Sequence, residues 1–439
     1  DAALKAEVDV AWLGDVPAHW ARRPGKACYH EKHVPNTGLK ETTVLSLSYG
    51  QIVVKPPDKL HGLVPASFET YQIVDPGDII IRPTDLQNDW NSLRFGLSRH
   101  RGIITSAYMC FHTTDAMTRE YGHLLLHTYD LMKVFYGLGS GLRQNLDWQD
   151  FKYLPCLIPP LPEQRAIARY LAHHDALTRR YIRAKQKMIA LLNEQKQAII
   201  HRAVTRGLDP NVKLKPSGVE WLGDVPEHWE VVLNQRIFKE EIRPHGWQPE
   251  TQLSLSQRDG LIATSDMQER SLQTSTYDNW KVTITGDLVL NRFKAHLGVF
   301  FASTLRGIVS FHYGVFAPRR HLVTKYFELL YHTNPYKTIC AGRSNGMTVG
   351  LQNLSNQSFY NVRSVVPPIQ EQAEIVSFAE KSTESLNNAI ASAYREITLL
   401  REYRTRLIAD VVTGKVDVRG AAAGLPEREE ESATEDLSG

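Results

Sequence analysis

Few residues in this chain have the types and spacing that catalysis or metal binding requires. The glycine-rich stretch 137–141 follows a helix-like run rather than a strand, so we interpret it as a turn and not as a nucleotide-binding loop. Asn334-Pro335-Tyr336 lacks one proline of the N-P-P-Y tetrad with which amino-methyltransferases hold a flipped base. The 17 histidines show no paired spacing with acidic residues that would predict a metal site. The sequence therefore predicts a protein without an active site of its own.

The composition is typical of a soluble globular protein with two cores. The chain has 439 residues, of which 42% are hydrophobic and 23% are charged. No apolar run approaches the ~20 residues that a membrane-spanning helix needs, so we expect no membrane association. The four cysteines are scattered without a C-x-x-C pair, which favours a reducing cytoplasm over a disulfide framework or a zinc site.

The last residues of the sequence are strongly acidic. Residues 420–439 contain six acidic residues and a single arginine, with little that could be buried in a core. We therefore predict that the segment 415–439 is disordered. The net charge of +3 understates the basic character of the rest of the chain.

The sequence contains an internal repeat. The segment WLGDVPAHW at 12–20 returns as WLGDVPEHW at 221–229, and PPLPEQRAI at 159–167 returns as PPIQEQAEI at 367–375. Between these anchors the two copies drift apart. A chain that keeps two frameworks and varies the residues between them is expected to recognise two different things with one kind of module.

Each repeat combines a mixed domain with a long helix. The domain has short β-branched runs separated by Gly, Pro, Asn and Asp, which is typical of a compact α/β structure. A double proline then precedes a helical stretch of roughly 45 residues, which ends at Gly207 or Gly414. Apolar residues recur at heptad-like spacing and at matching places in both helices: Ile182, Ile189, Leu192, Ile199 and Ala203, and Ile390, Ile397, Leu400, Leu407 and Val411.

This pattern is consistent with two arrangements of the helices. Either the helices pair along their common seam, antiparallel because of the chain connectivity, or each packs on its own domain as an amphipathic helix. We favour the pair, because such long rods have nothing else to bury against. The predicted fold is α+β, with two similar mixed α/β domains separated by a long antiparallel two-helix coiled coil in a pseudo-two-fold arrangement. The predicted segments are 1–158 (first domain), 159–206 (first helix), 207–220 (linker), 221–366 (second domain), 367–414 (second helix) and 415–439 (tail).

The repeated segments resemble those of the specificity subunits of type I restriction-modification systems. The likeness covers about residues 12 to 414, although the start of the chain lacks the K-P-S-G-V-E lead-in found at 215–220. The matching residues are the W-L-G-D-V-P-x-H-W segments, Gly77-Asp78 and Gly286-Asp287, the Q-N-L segments at 144–146 and 352–354, and the P-P-[LI]-x-E-Q segments with Glu163-Gln164 and Glu371-Gln372.

The resemblance implies a DNA-recognition subunit without catalytic activity. In that family each domain is a target-recognition domain that reads one half of a split double-stranded DNA target, and the helices set the spacer between the halves. The subunit itself binds no cofactor. It recruits two modification subunits, which methylate adenine with S-adenosylmethionine, and restriction subunits, which are ATP-dependent translocases and nucleases. Different domains on one frame predict an asymmetric target.

Candidate DNA contacts are expected among the Arg, Lys, Asn, Gln and His side chains of the divergent parts, because such donors read base edges and hold phosphates. For any one of them an exposed solvating role is an equally good interpretation. In the first domain the candidates are Arg82, Gln87, Asn88, Asn91, Arg94, Arg143 and Gln144. In the second they are Arg258, Arg292, Lys294, His296, Arg343, Asn345 and Gln352.

The constant segments are expected to serve architecture or a partner that is met twice. The shared tryptophans are predicted to anchor the start of each repeat against its core, since residues that read different DNA sequences should differ. We predict that the modification subunits bind near Glu163, Gln164, Glu371 and Gln372.

Two functions of other classes compete with DNA recognition. A self-sufficient methyltransferase or nuclease would need a cofactor loop or catalytic residues that the sequence does not show. A structural adaptor between two protein partners would explain the repeats and the helices. It would not explain why the interiors of the two domains diverge.

Overall fold

The computed structural model divides the chain into two compact units, each built from separate stretches of the domains and helices. Unit one contains residues 1–185 and 395–439, and unit two contains residues 186–394. Both boundaries fall inside the long helices, so each unit holds one domain and a part of each helix. The structure describes residues 13–56, 58, 67–138, 144–245, 250–257, 259–267, 279–346 and 352–426.

The strands of unit one are short and rich in β-branched and aromatic residues, which suit a pleated, half-buried surface. They are β1 (Ala21–Pro24), β2 (Tyr29–Glu31), β3 (Leu45–Ser48), β4 (Gln51–Val54), β5 (Tyr71–Val74), β6 (Ile79–Ile81), β7 (Phe95–Leu97), β8 (Gly102–Thr105), β9 (Met109–Thr113) and β10 (Pro155–Ile158). The helices of the domain are α1 (Arg119–Leu131) and α2 (Trp148–Lys152).

A four-stranded antiparallel sheet with the order β2-β9-β6-β7 lies at the centre of unit one. Strand β6 consists of three fully buried isoleucines, because it pairs with β9 on one side and β7 on the other. Antiparallel pairs also form between β3 and β4 and between β5 and β8. Strand β1 pairs with β10 from Ala21↔Ile158 to Pro24↔Pro155, and so joins the beginning of the domain to its end.

Unit two repeats this plan. Its strands are β11 (Leu214–Pro216), β12 (Asp224–Pro226), β13 (Glu230–Leu233), β14 (Phe238–Glu240), β15 (Leu253–Ser256), β16 (Gly260–Ala263), β17 (Lys281–Thr283), β18 (Leu288–Asn291), β19 (Phe300–Ala302), β20 (Gly307–Val309), β21 (Tyr313–Pro318) and β22 (Arg363–Val366). Its shorter helices are α4 (Thr324–Tyr331), α5 (Asn334–Arg343) and α6 (Asn356–Tyr360). The central sheet has the order β14-β21-β18-β19, and β13 pairs with β22 as β1 does with β10.

The repeated Gly-Asp pair forms the turn that leads into the central strand of each unit. Gly77 and Gly286 have φ of 95° and 93°, a left-handed region that strains other residues. The following carboxylates are buried and accept backbone hydrogen bonds, Asp78 from Asp75 N and Asp287 from Ile284 N. This repeated pair is therefore structural.

The long helices α3 (Leu161–Arg206) and α7 (Ile369–Val412) pack together within each unit. In unit one, Lys185 forms an ion pair with Glu396 at 2.6 Å, and Asp175 forms one with Arg404. In unit two, Ala203 of α3 and Ala379 of α7 lie in one core cluster, and Lys196 Nζ donates to Asn387. Residues farther along α3 contact residues that come earlier in α7. The helices are therefore antiparallel, as predicted.

None of the predicted heptad seam residues is exposed. Ile189 and Ile397 are buried, and the remaining seam positions are buried or half-buried. Each helix also contributes to the core of the domain that it follows, Ile167 of α3 in unit one and Ile375 of α7 in unit two. The two arrangements considered for the helices therefore both occur, at different places along their length.

The segment after Gly414 is more structured than predicted. Residues 415–426 are described and include a short helix, α8 (Arg419–Ala423), with Val418 and Ala422 buried. The expected disordered tail therefore does not begin at 415, because these two apolar side chains find a core to pack on. The acidic residues 427–439 lie outside the described residues.

Candidate nucleic-acid interface

A tryptophan and a glutamate from the constant segments are hydrogen-bonded in each unit, and we call this contact the Trp–Glu clamp. In unit one, Trp20 Nε1 donates to Glu163 Oε1 at 3.1 Å, and His19 Nε2 lies 2.9 Å from Glu163 Oε2. In unit two, Trp229 Nε1 donates to Glu371 Oε2 at 3.0 Å. The clamp ties the start of each domain to the first turn of the helix that leaves it.

The glutamine that follows each clamp glutamate is also used internally. Gln164 Oε1 accepts from Thr118 N at 2.8 Å, and Gln164 Nε2 donates to Pro159 O at 2.8 Å. Gln372 makes the equivalent bonds to Val323 N and Pro367 O. Both glutamines are buried.

These contacts change the interpretation of the P-P-x-x-E-Q segments. Glu163, Gln164 and Gln372 are buried, and the side chain of Glu371 is only 22% exposed. Their hydrogen-bonding atoms are directed at the protein's own backbone and indoles. We therefore replace the predicted partner-binding role with an architectural one. The prediction that the tryptophans anchor each repeat agrees with the burial of Trp20 and Trp229.

The glycines that end the long helices pack on the same joints. Gly414 has φ of 80°, and a Cβ there would lie 2.4 Å from Pro17 Cδ and 3.1 Å from Trp20. Gly207 has φ of 75°, and a Cβ there would lie 3.3 Å from Trp229. Each joint therefore combines the opening segment of a domain, the start of one helix and the end of the other.

The first-domain candidates lie mainly on the loop between β6 and β7. Gln87, Asn88 and Asn91 are exposed on this loop, whereas Arg82 is partly exposed and forms an ion pair with Asp89 at 3.1 Å. Hydrogen bonds from Ser92 and the charge of Arg82 lower the pKa of Asp89. The loop thus presents the side chains of Gln87 and Asn91 to solvent, whereas the exposed Asn88 amide already donates to Asp85 Oδ1 at 2.8 Å.

Arg94 has a different role from the one predicted. Its side chain is fully buried, and its guanidinium donates to backbone carbonyls at the base of the loop, including Thr84 O at 2.6 Å and Asp89 O at 2.7 Å. The guanidinium carbon also lies over the ring of Tyr136, 5.5 Å from the ring centroid. A buried guanidinium with its donors occupied shapes the loop and is not available to DNA, so we reassign Arg94 to a structural role.

The Q-N-L segment lies beside this loop in unit one. Leu146 N donates to Pro83 O at 2.9 Å, and the Asn145 side chain accepts from Asp85 N at 3.2 Å. Gln144 is half-buried and has φ of 48°. The structure thus brings Gln144 to the same side of the domain as the loop, whereas Arg143 lies outside the described residues.

In unit two the equivalent segment is a short 3-10 helix, Arg292–Leu297. Lys294 is exposed, and His296 is half-buried. Arg292 is largely enclosed, because its guanidinium donates to Glu240 at 2.7 Å and to Asn356 at 2.8 Å. Arg292 is therefore engaged within the protein, and Lys294 is the more accessible cation of this segment.

The second Q-N-L segment makes the same link as the first. Leu354 N donates to Arg292 O at 3.0 Å, and Asn353 exchanges backbone hydrogen bonds with Asn345. The structure therefore gathers Asn345, half-buried Gln352 and the 3-10 helix in one region, with exposed Arg343 two residues before Asn345. Arg258 lies outside the described residues.

Two exposed aromatic residues accompany these donors and were not among the predicted candidates. Trp90 is 52% exposed on the unit-one loop and stacks on Tyr136 with ring centroids 4.6 Å apart. Phe293 is 39% exposed between Arg292 and Lys294. The signal that could have found them is an aromatic residue interleaved with polar donors in a divergent segment.

Other kinds of site find little support in the described part of the chain. No group of three or more His, Cys, Asp or Glu side chains there could hold a metal ion. The same residues contain no helix that is long and apolar enough to cross a membrane. The stretch 137–141, whose glycines we interpreted as a turn, is described only as far as residue 138.

Comparison with known proteins identifies relatives over parts of the chain. A putative type I restriction enzyme MjaX specificity subunit from Methanocaldococcus jannaschii is 32% identical over 99 residues, which is 22% of this chain and 22% of that protein. The type I restriction enzyme MjaVIII specificity subunit of the same organism is 33% identical over 165 residues, or 36% of each chain. The chain is similar to type I restriction enzyme specificity subunits. This confirms the resemblance seen in the repeated segments, over matches that span well under half of those relatives.

The fold is also similar to that of a solved structure. A chain from a type I restriction-modification system, described for its complex assembly and conformational transition, matches with a TM-score of 0.60. The match covers 92% of this chain and 100% of the other, at 14% sequence identity, so it concerns the fold alone. It confirms the predicted α+β fold with paired long helices. No protein-family model matches the sequence.

Proposed function

We propose that this chain is the DNA-specificity subunit of a type I restriction-modification complex. The observation that carries the proposal is the contrast between the joints and the loops. The Trp–Glu clamp is built alike in both units, whereas the segments after the central strands differ in backbone form and in the donors that they expose. A repeated frame with unlike exposed segments suits two unlike stretches of DNA.

In this proposal each domain reads one half of an asymmetric, split target. The loop of unit one offers amides, which pair with adenine edges, and Lys294 of unit two supplies a charge suited to phosphate. Helix α3 begins in unit one and ends in unit two, so helix length would set the number of base pairs between the halves. The joints hold each domain on this helical spacer.

The chemistry is proposed to reside in partner subunits. Two modification subunits would bind S-adenosylmethionine and methylate adenine, and restriction subunits would translocate and cleave DNA. This chain would be non-catalytic and would bind no cofactor. Its cysteines are free and buried, which agrees with a proposed location in the cytoplasm.

Exposed leucines on the long helices are better candidates for docking the modification subunits than the clamp residues. Leu191 of α3 is 56% exposed, and Leu399 of α7 is 62% exposed. They stand at equivalent positions of the two repeats, one in each unit. A single exposed apolar side chain is ordinary, so the argument rests on the repetition of an exposed leucine at the same place in both copies, since one kind of partner bound twice needs one kind of surface.

The test is to coexpress the full chain with its cognate modification subunit and to map methylated adenines. We expect one split, asymmetric motif that depends on both proteins. Methylation by this chain alone, or none with the partner present, would contradict the proposal. Leu191→Glu and Leu399→Glu should each weaken recruitment of the modification subunit without changing the motif. Gln186→Glu, at an exposed position of α3, adds the same single negative charge and provides the control.

A further inference from the structure

The tip of the β3–β4 hairpin presents a tyrosine in a conformation that does not suit it. Tyr49 has φ of 47° and Gly50 has φ of 77°, which is the pattern of a two-residue turn with both central residues left-handed. Such turns favour Asn-Gly or Asp-Gly, because a bulky side chain is strained at positive φ. Tyr49 occupies the position where asparagine would be preferred.

The ring of Tyr49 is not stabilised by contacts within the described part of the fold. The residue is 92% exposed, and among the described residues it has no hydrogen bond, ring contact or cation–π contact. The turn would therefore form at least as well with asparagine, and the ring is available to something outside the chain. Strained residues that the fold does not require concentrate at functional sites.

The position of the hairpin relates this ring to the loop that carries the unit-one candidates. A Cβ placed on Gly50 would lie 3.0 Å from the Cβ of Leu93, near the end of that loop. The exposed ring of Trp90 stands three residues before Leu93. The loop amides, Trp90 and the hairpin tip therefore belong to neighbouring parts of one domain surface.

From this arrangement we infer that Tyr49 is a DNA-contacting residue of the first half-site, with its ring packed against a base or sugar of the duplex beside the loop. This inference rests on the proposed function. An exposed, uncharged aromatic ring is suited to stacking on a base or to wedging at a base step, as proteins that contact duplex grooves do with apolar side chains. The corresponding hairpin of unit two, β15–β16, has a longer connection, 257–259, as expected if the two domains read different DNA.

The test compares three full-length variants in complex with the modification subunit. Tyr49→Phe keeps the ring. Tyr49→Asn removes the ring and suits the turn. Leu39→Asn is the matched control, because Leu39 also has a positive φ of 53° and is 51% exposed, but it lies in another loop. The probe is a labelled duplex that carries the split motif mapped for the wild-type complex, and thermal unfolding is measured in parallel.

We expect Tyr49→Asn to bind the duplex about tenfold more weakly with an unchanged or higher Tm, Tyr49→Phe to bind within about twofold of wild type, and Leu39→Asn to leave binding unchanged. Wild-type affinity in Tyr49→Asn would overturn the inference, as would a loss of complex assembly with intact DNA binding. A wild-type complex that yields no motif would instead contradict the proposed function, so the two failures are distinguishable.

Discussion

Replacing Glu163 with alanine tests whether the constant segments serve architecture or partner binding. The side chain of Glu163 is 9% exposed and accepts the indole N–H of buried Trp20 at 3.1 Å. Loss of the carboxylate leaves that donor buried without a partner, which costs about 1–3 kcal/mol. His19 adds little, because its side chain is 46% exposed and water replaces the lost contact. We expect a loss of about 2 kcal/mol in unit one, and about 1 kcal/mol for Glu163→Gln, whose amide oxygen still accepts from the indole.

The assay is denaturant and thermal unfolding of the full chain, followed by pull-down of the modification subunit well below the transition. A loss of about 2 kcal/mol corresponds to a fall in Tm of roughly 4–8 °C for a unit of this size. Glu371→Ala is the matched variant, and its smaller expected loss, about 1 kcal/mol, follows from the greater exposure of Glu371. An unchanged unfolding transition of Glu163→Ala, combined with loss of the modification subunit, would refute the architectural role.

Three further predictions concern the stability of unit one. Gly414→Ala should cost about 3 kcal/mol, because a residue at φ of 80° is strained and its Cβ would meet Pro17 at 2.4 Å. The control is Gly14→Ala, which should cost about 1 kcal/mol because Gly14 has φ of 64° but open space around it. Equal losses on denaturant unfolding would contradict the clash. Arg94→Met should cost at least about 3 kcal/mol by the same measurement, because it leaves several loop carbonyls without donors, and an intact loop would argue against our assignment. Burial lowers the pKa of His127 to about 3, so an unfolded chain takes up a proton below ~6.5 that the folded one does not. Burial also lowers the pKa of the neighbouring His123, to about 4. His127 alone should contribute a fall in stability of about 1 kcal/mol between pH 7.5 and 5.5, so His127→Gln should reduce the pH dependence by about that amount and leave the part due to His123.

The sequence predicted the parts of the fold that rest on local patterns. The heptad spacing located the seam of α3 and α7. Helix α3 ends directly before Gly207 and α7 ends two residues before Gly414, and both glycines adopt the left-handed conformation that is common just after a helix. The antiparallel pairing followed from connectivity. These features depend on short-range periodicity and backbone conformation, which a single sequence displays directly.

The candidate site was predicted less well, because burial depends on tertiary contacts. Arg82 and Arg94 are the same residue type and flank one loop, yet Arg82 is partly exposed and Arg94 is fully buried beneath the loop. Composition gives no sign of that difference. The exposed Trp90 and Tyr49 were missed for the opposite reason, since aromatic residues are expected in a core unless a structure shows otherwise.

The repeated glutamates show why similarity between two copies does not by itself indicate a partner. A duplicated fold must build each of its internal joints twice, so Glu163 and Glu371 would be alike even if nothing bound them. Exposure separates the two explanations. Leu191 and Leu399 are also alike in both copies but point away from the cores, where a repeated apolar side chain serves no joint. In a duplicated chain, residues that are alike in both copies and buried therefore indicate architecture. Residues that are alike and exposed indicate a partner bound twice. Residues that are exposed and differ between the copies indicate the two targets.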